Sequence, residues 1–279
     1  MDLTSPSTIK ELLSKYETRP SKGLGQNFLI DKNILEKIIT ASDIKSADTV
    51  LEVGPGIGTL TQELAKKAEK VIAVEKDETM VKILAETLAD FKNVEVISGD
   101  ILEFDNSKFI RNSKFETQNY KVVANIPYYL TSPLIRQFLE AENKPDFMVL
   151  MMQKEVAQRI CSKAGDMSLL AVSVQFYAEP KIISYVSKNC FYPAPKIDSA
   201  IIKITPNKIP VPVDPELFFK IVKAGFSQPR KQLAGNLSAK LKLAKEQTII
   251  WLAKNKIDPK QRAETLSIED WKNLTMSCE

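Results

Sequence analysis

The sequence predicts an α/β fold: a mainly parallel sheet with helices on both faces, followed by a small all-helical C-terminal part. Three observations predict it. Between residues 49 and 152 short apolar runs alternate with amphipathic stretches, the pattern of parallel strands joined by helices. One run, Val50-Leu51-Glu52-Val53, leads straight into Gly54-Pro55-Gly56-Ile57-Gly58, a strand, glycine turn and helix of the kind that binds nucleotides. Finally, Pro206, Pro210, Pro212 and Pro215 crowd one interval that neither a helix nor a central strand tolerates. Beyond it only helical periodicity remains. The expected domains are therefore 1–205 and 206–279.

Taken in order, residues 7–17 read as a short amphipathic helix, and Lys22–Leu29 as a glycine-bearing loop. Asp31 caps a helix whose inner face carries Ile34, Leu35, Ile38 and Ile39. Strands are expected at Thr49–Val53, Val71–Glu75, Val94–Ile97, Lys121–Ala124 and Phe147–Met152, with helices at Ile57–Ala68, Asp77–Ala89 and Ser132–Glu140. Segment 103–119 is polar and reads as a connection that includes a short helix. Lys154–Ile160 is amphipathic, and the state of Leu169–Tyr177 is left open. Lys181–Val186 and Ala200–Ile204 read as strands, and helices are expected at 214–225, 230–243, 246–255 and 267–274.

Composition excludes several classes. There is no histidine among the 279 residues, which removes Ser-His and Cys-His pairs, imidazole bases and histidine-ligated metals. The three cysteines, Cys161, Cys190 and Cys278, are scattered and suit a reducing cytoplasm rather than a disulfide framework or a zinc site. No metal is expected. No apolar run approaches membrane-spanning length and the N-terminus lacks a leader pattern, so a cytoplasmic protein without membrane attachment is expected. The net charge of +4 is uneven: residues 206–279 hold 13 Lys/Arg against 8 Asp/Glu, a balance of +5, and the remainder is at −1. A basic end on a near-neutral body points to a polyanionic partner.

Two stretches carry the chemistry. After the glycine turn, a second strand ends at Glu75, 21 residues beyond Gly54, where a carboxylate meets the ribose hydroxyls of an adenosine cofactor. A third strand leads to Gly99-Asp100, and Asp100 can accept from an adenine amino group. Gly54 and Gly56 let a ligand approach the backbone. S-adenosylmethionine (SAM) fits this set. NAD is the alternative, but the spacing is G-x-G-x-G and Pro55 removes a donor where a pyrophosphate wants one. Lys121–Ala124, in turn, stops on Asn125-Ile126-Pro127-Tyr128. That places an amide, bare carbonyls and an aromatic ring at the carboxyl edge of the sheet, a set suited to a flat heterocycle with an exocyclic amine.

Together these stretches resemble the rRNA adenine N6,N6-dimethyltransferase family. Gly25-Gln26-Asn27-Phe28-Leu29, Gly54–Gly58, Glu75, Gly99-Asp100 and Asn125–Tyr128 are similar to its cofactor and catalytic motifs. Phe191-Tyr192-Pro193-Ala194-Pro195 is similar to its F-x-P-x-P motif, and Phe226–Leu233 to the start of its RNA-binding helices. The Phe-Ser-Gln-x-Arg-Lys stretch and Gln153–Ala157 look like the branch that dimethylates two adjacent adenosines of small-subunit rRNA, rather than the branch that modifies one large-subunit adenosine.

The resemblance implies a Rossmann-like SAM-dependent methyltransferase sheet. In it Asn27, Leu29, Gly54, Gly56, Glu75, Asp100 and Asn125 line the SAM site. Asn125, Pro127 and Tyr128 hold the target base, with Phe191 as a second aromatic wall. Without the motif, core packing is the better reading of Phe191. Arg230, Lys231, Lys240 and Lys242 are expected on RNA phosphates, in a monomer acting on small-subunit rRNA or the assembling 30S particle. Two departures stand out: Asn27 sits where the family often has histidine, and Gly165–Ser168 is shorter than usual. Two alternatives remain open: a non-catalytic RNA-binding protein on the same fold, and a small-molecule methyltransferase.

Overall fold

The structure is a computed structural model and describes residues 1–104, 119–209 and 212–278. The chain forms two compact units. The first comprises Met1–Ala157 and Pro180–Pro206; the second comprises Gln158–Glu179 and Asn207–Glu279.

In the first unit, α1 (Pro6–Lys15) buries Ile9, Leu12 and Leu13, and β1 (Phe28–Leu29) leads to α2 (Lys32–Ala41). Asp31 caps α2, its side chain accepting from the backbone N–H groups of Asn33 and Ile34. The alternation that follows is β2 (Thr49–Val53), α3 (Thr59–Ala65), β3 (Lys70–Glu75), α4 (Glu78–Thr87), β4 (Val94–Ser98), β5 (Lys121–Asn125), α5 (Thr131–Glu140) and β6 (Met148–Gln153). After it come α6 (Lys154–Ile160), α7 (Leu169–Tyr177), β7 (Ala178–Val186), β8 (Phe191–Tyr192) and β9 (Ser199–Pro206).

Among the described residues seven strands form one sheet in the order β4-β3-β2-β5-β6-β9-β7. β4, β3, β2, β5 and β6 run parallel, and β9 pairs antiparallel to β6. The strand order reverses between β2 and β5. At such a switch point the connections leave in opposite directions and open a crevice at the carboxyl ends. β2, β3 and β5 are buried on both faces, which is why their sequences are continuous apolar runs rather than alternating ones.

Several boundaries differ from the sequence reading. α3 begins at Thr59 rather than Ile57, because Gly54, Gly56 and Gly58 all hold positive φ and the helix cannot start until they are past. β5 runs on to Asn125. Lys22–Leu29 is not all loop: Phe28–Leu29 is a strand, paired antiparallel with Tyr192 and Phe191. Leu169–Tyr177, left open above, is a helix capped by Ser168. Segment 103–119, read from the sequence as a connection, falls almost wholly on residues 105–118, outside the described residues; before them Ile101–Glu103 makes one 3-10 turn.

The second unit is helical: α6 runs into it, α7 lies in it, and α8 (Pro215–Gly225), α9 (Leu233–Leu241), α10 (Lys245–Lys254) and α11 (Ile268–Met276) complete it. Its core gathers Phe176 of α7, Phe218, Leu233, Leu237, Leu252 and Trp271. The Phe176 and Phe218 rings stack at 4.1 Å between centroids. The sequence reading assigned everything before residue 206 to one domain. Gln158–Glu179 instead packs with the C-terminal helices, because the apolar face of α7 has its partners there. No helix among the described residues is long and apolar enough to cross a membrane.

Candidate active site

The carboxyl ends of β2, β3 and β5 open into one cleft. Its walls include Asn27, Leu29, Gly54, Gly56, Glu75, Asp100 and Asn125, together with Pro127, Tyr128 and Phe191. Every cofactor and base-binding residue named from the sequence therefore meets at a single site.

The glycine turn is built for close approach. Gly54 donates its N–H to Val74 O at 2.9 Å and holds φ 67°. A Cβ on it would meet Pro127 Cδ at 3.4 Å. A Cβ on Gly56, at φ 61°, would press on the Phe28 ring at 3.2 Å. Gly56 N–H donates to Glu75 Oε2 at 3.0 Å, and Asp77 N–H donates to Oε1 at 2.9 Å. These bonds fix the Glu75 carboxylate at the end of β3. Burial nevertheless raises its pKa.

Asp100 accepts from Lys76 Nζ at 2.7 Å and from Leu102 N–H at 3.0 Å. The Lys76 ammonium holds its carboxyl below the usual carboxylate range. Lys76 was not singled out from the sequence; as an exposed lysine next to Glu75 it carried no signal of its own.

Asn125 closes β5 in register with Met151. Its Nδ2 donates to Asn27 O at 3.3 Å, and Asn27 Nδ2 donates in turn to Gly25 O at 3.0 Å. With Nδ2 engaged, Oδ1 has no partner among the described residues and remains an acceptor on the cleft. Of the neighbouring carbonyls, Pro127 O accepts from Leu130 N–H at 2.9 Å, and with a second lone pair it keeps acceptor capacity, as does Ile126 O. The Tyr128 hydroxyl pairs with Ser199 Oγ at 2.9 Å, which holds the ring in place, and burial raises its pKa. Phe191 is 4% exposed and packs in the sheet core beside Leu29 and Met151 while also lining the cleft. Core packing and the proposed aromatic wall are thus compatible.

Sequence reasoning missed Glu52. It lies in β2 immediately before the turn, is 2% exposed and lines the cleft, and its Oε2 has no hydrogen-bond partner. Burial, and secondarily the charge of Glu75, pushes its pKa up to about 8. The signal was present: Glu52 is the one charge in the run Val50–Val53. The charge of the cleft tests which cofactor fits. Glu75 and Asp100 converge on it, its cation Lys76 is already paired with Asp100, and buried Glu52 adds a proton-bearing carboxyl rather than a full charge. This balance suits a sulfonium nucleoside with its ammonium and disfavours a pyrophosphate. The residues present fit SAM and not NAD.

Arg230, Lys231, Lys240 and Lys242 are exposed on the second unit, Lys242 in a left-handed conformation at the end of α9. None of the four has an ion-pair partner among the described residues.

The family model described as ribosomal RNA adenine dimethylase matches residues 18–278. The chain is 45% identical over 269 residues to Ribosomal RNA small subunit methyltransferase A of Dehalococcoides mccartyi, covering 96% of this chain and 91% of that protein. It is 46% identical over 279 residues to the protein of the same name from Alkaliphilus metalliredigens, covering 98% and 96%. Among solved structures, a dimethyladenosine transferase from Plasmodium falciparum superposes with a TM-score of 0.74 at 29% identity, covering 89% of this chain and 96% of that one. The 23S rRNA methyltransferase ErmE superposes with a TM-score of 0.73 at 26% identity, covering 90% and 99%. With the glycine turn, the Glu75 carboxylate and the Asn125–Tyr128 stretch on one cleft, and a match over nearly its whole length, the chain belongs to the ribosomal RNA adenine dimethylase family.

Proposed function

We propose that the chain transfers methyl groups from SAM to N6 of two adjacent adenosines in the 3′-terminal hairpin loop of small-subunit (16S) rRNA, giving N6,N6-dimethyladenosines as the subunit is assembled in the cytoplasm. The observation that carries this reading is the unpartnered acceptor Asn125 Oδ1 beside Ile126 and Pro127 on the cleft that also holds Gly54 and Glu75.

Adenine N6 is a poor nucleophile because its lone pair is delocalised into the ring. Asn125 Oδ1 and the Ile126 or Pro127 carbonyl accept from its two hydrogens, which favours a pyramidal nitrogen with a localised lone pair. The same acceptors stabilise the positive charge that grows on nitrogen during transfer. Tyr128 and Phe191 provide aromatic walls for a flipped-out base, and stacking of this kind is worth about 1–3 kcal/mol per base. When bound, SAM supplies an electrophilic methyl carbon on a sulfonium leaving group. Glu75 would hold its ribose, Gly54 and Gly56 would admit it against the backbone, and Asn27 and Leu29 would complete its wall. The proton released from N6 passes to water, so no side-chain base is required. Among the described residues no cluster of Cys, Asp and Glu is placed to hold a metal ion.

The exposed Arg230, Lys231, Lys240 and Lys242 supply phosphate contacts from the helical unit, and a single copy of the chain suffices for the reaction. The test is methylation of unmethylated small-subunit particles, large-subunit rRNA and free nucleosides with labelled SAM, followed by nucleoside analysis. Dimethyladenosine in the small-subunit arm alone is expected. Label only in the other arms would replace this reading.

A further inference from the structure

The cleft of Gly54 and Asn125 continues into a second, more open groove. Gly25, Gln26, Asn27 and Tyr128 line both. The groove encloses about 1080 Å³, more than one small ligand needs. It lies wholly within the first unit, whose sequence is close to neutral, yet its walls are cationic. Lys10, Arg19, Lys22 and Lys196 line it, and no Asp or Glu does.

The four cations come from separate segments: α1, the loop that follows it, and the loop after β8. All four are exposed or half-exposed, and none has an ion-pair partner among the described residues. Asp198 and Glu155 act electrostatically on Tyr128 but do not line the groove, and Asp198 accepts from Lys188 N–H.

The walls are held in place. Gln26 accepts from Ser21 N–H at 2.7 Å and donates to Asp77 at 2.8 Å, and Gly25 N–H donates to Lys22 O at 3.1 Å, so the loop carrying Lys22 is folded on itself. Tyr192 is paired with Phe28 across the short ladder, and Lys10 Nζ lies 5.6 Å from the centre of its ring. Unpaired cations beside a fixed aromatic ring form the set that tracks a single nucleic-acid strand, phosphates on the charges and a base on the ring. A small apolar substrate would need neither.

We propose that this groove carries the single-stranded RNA that flanks the target adenosine. Its phosphates lie along Lys10, Arg19, Lys22 and Lys196, and one neighbouring base lies against Tyr192. The groove then holds the backbone on the near side of the flipped nucleotide, where the strand would otherwise spring back into its own stack. This inference rests on an adenosine being the substrate of the adjoining cleft.

The test compares the full chain with the variant Lys10→Ala/Arg19→Ala/Lys22→Ala/Lys196→Ala on unmethylated small-subunit particles. SAM affinity, measured by calorimetry without RNA, should be unchanged and serves as the check on folding. KM for the particle should rise at least ten-fold at moderate salt. The slope of log KM against log salt should fall by roughly 2 to 3, at about 0.7 for each phosphate that is no longer neutralised. Lys10→Arg/Lys22→Arg/Lys196→Arg should keep the wild-type KM, since charge is what matters. Photocrosslinking of thiouridine placed beside the target should label Tyr192–Lys196. An unchanged KM and slope in the alanine variant, with the wild type active, would overturn the groove alone. A wild type inactive on every RNA would overturn the reaction assigned to the cleft instead.

Discussion

The side-chain amide of Asn125 donates to the backbone carbonyl of Asn27 at 3.3 Å, across 98 residues of sequence. This one bond decides which end of the Asn125 amide is left free on the cleft. The nitrogen is spoken for, so the oxygen is the free acceptor.

Asn125→Ala should therefore cost about 10²–10³ in turnover, the usual loss when one preorganised transition-state hydrogen bond is removed. SAM affinity should fall by much less. Asn125→Asp should not rescue, because a carboxylate cannot donate to Asn27 O and would face it with like charge. Single-turnover methylation with parallel calorimetry checks both variants. Undiminished turnover in Asn125→Ala would remove this residue from the mechanism.

The Tyr128 hydroxyl pairs with Ser199 Oγ, 2.9 Å away, and its ring is the proposed stacking partner of the base. The two roles separate by substitution. Tyr128→Ala should lose about 1–3 kcal/mol of base capture, read in kcat/KM. Tyr128→Phe keeps the ring and loses one hydrogen bond, a change of about 1 kcal/mol. Equal effects of the two changes would mean that the hydroxyl, not stacking, is what matters.

Glu52 gives the fold a pH signature. Its pKa is pushed from 4.5 to about 8, chiefly by burial. Between those values the folded state binds a proton that the unfolded state has released, so stability falls as pH rises through that window. Glu75, also raised by burial, acts in the same direction. Urea denaturation at pH 5 and pH 8 should show the wild type losing up to a few kcal/mol, with Glu52→Gln losing clearly less. A pH dependence identical to wild type would show that Glu52 is ionised throughout.

In the helical unit, Gly225 ends α8 against Trp271, and a Cβ at Gly225 would run into the indole ring. Trp271 is fully buried and cannot swing aside. Gly225→Ala should destabilise the protein by about 1–3 kcal/mol through overpacking, visible as a lower midpoint in thermal or urea melts. An unchanged midpoint would mean that the core around Trp271 yields more easily than its packing suggests.

Much of this architecture was legible because the relevant signals are local. The run Val50–Val53 before three glycines, Glu75 at the next strand end and Asp31 as a cap each declare themselves within a few residues. What escaped depended on distant partners. Phe28–Leu29 is a strand only because Phe191–Tyr192 lies beside it, and two residues carry no readable period. The Leu169–Tyr177 run is apolar on nearly every side, which fits a buried strand and a buried helix equally well. Its membership of the second unit follows from packing against Phe218 and Trp271, which no order of residues along the chain reveals.

The two-residue ladder between Phe28–Leu29 and Phe191–Tyr192 has a mechanical corollary. It rivets the segment bearing Asn27 to the segment bearing Pro193–Lys196, with Ile30 N–H adding a further tie to Cys190 O. The wall proposed for the nucleoside cofactor and the wall proposed for the RNA are therefore one piece of metalwork, and neither would swing without dragging the other.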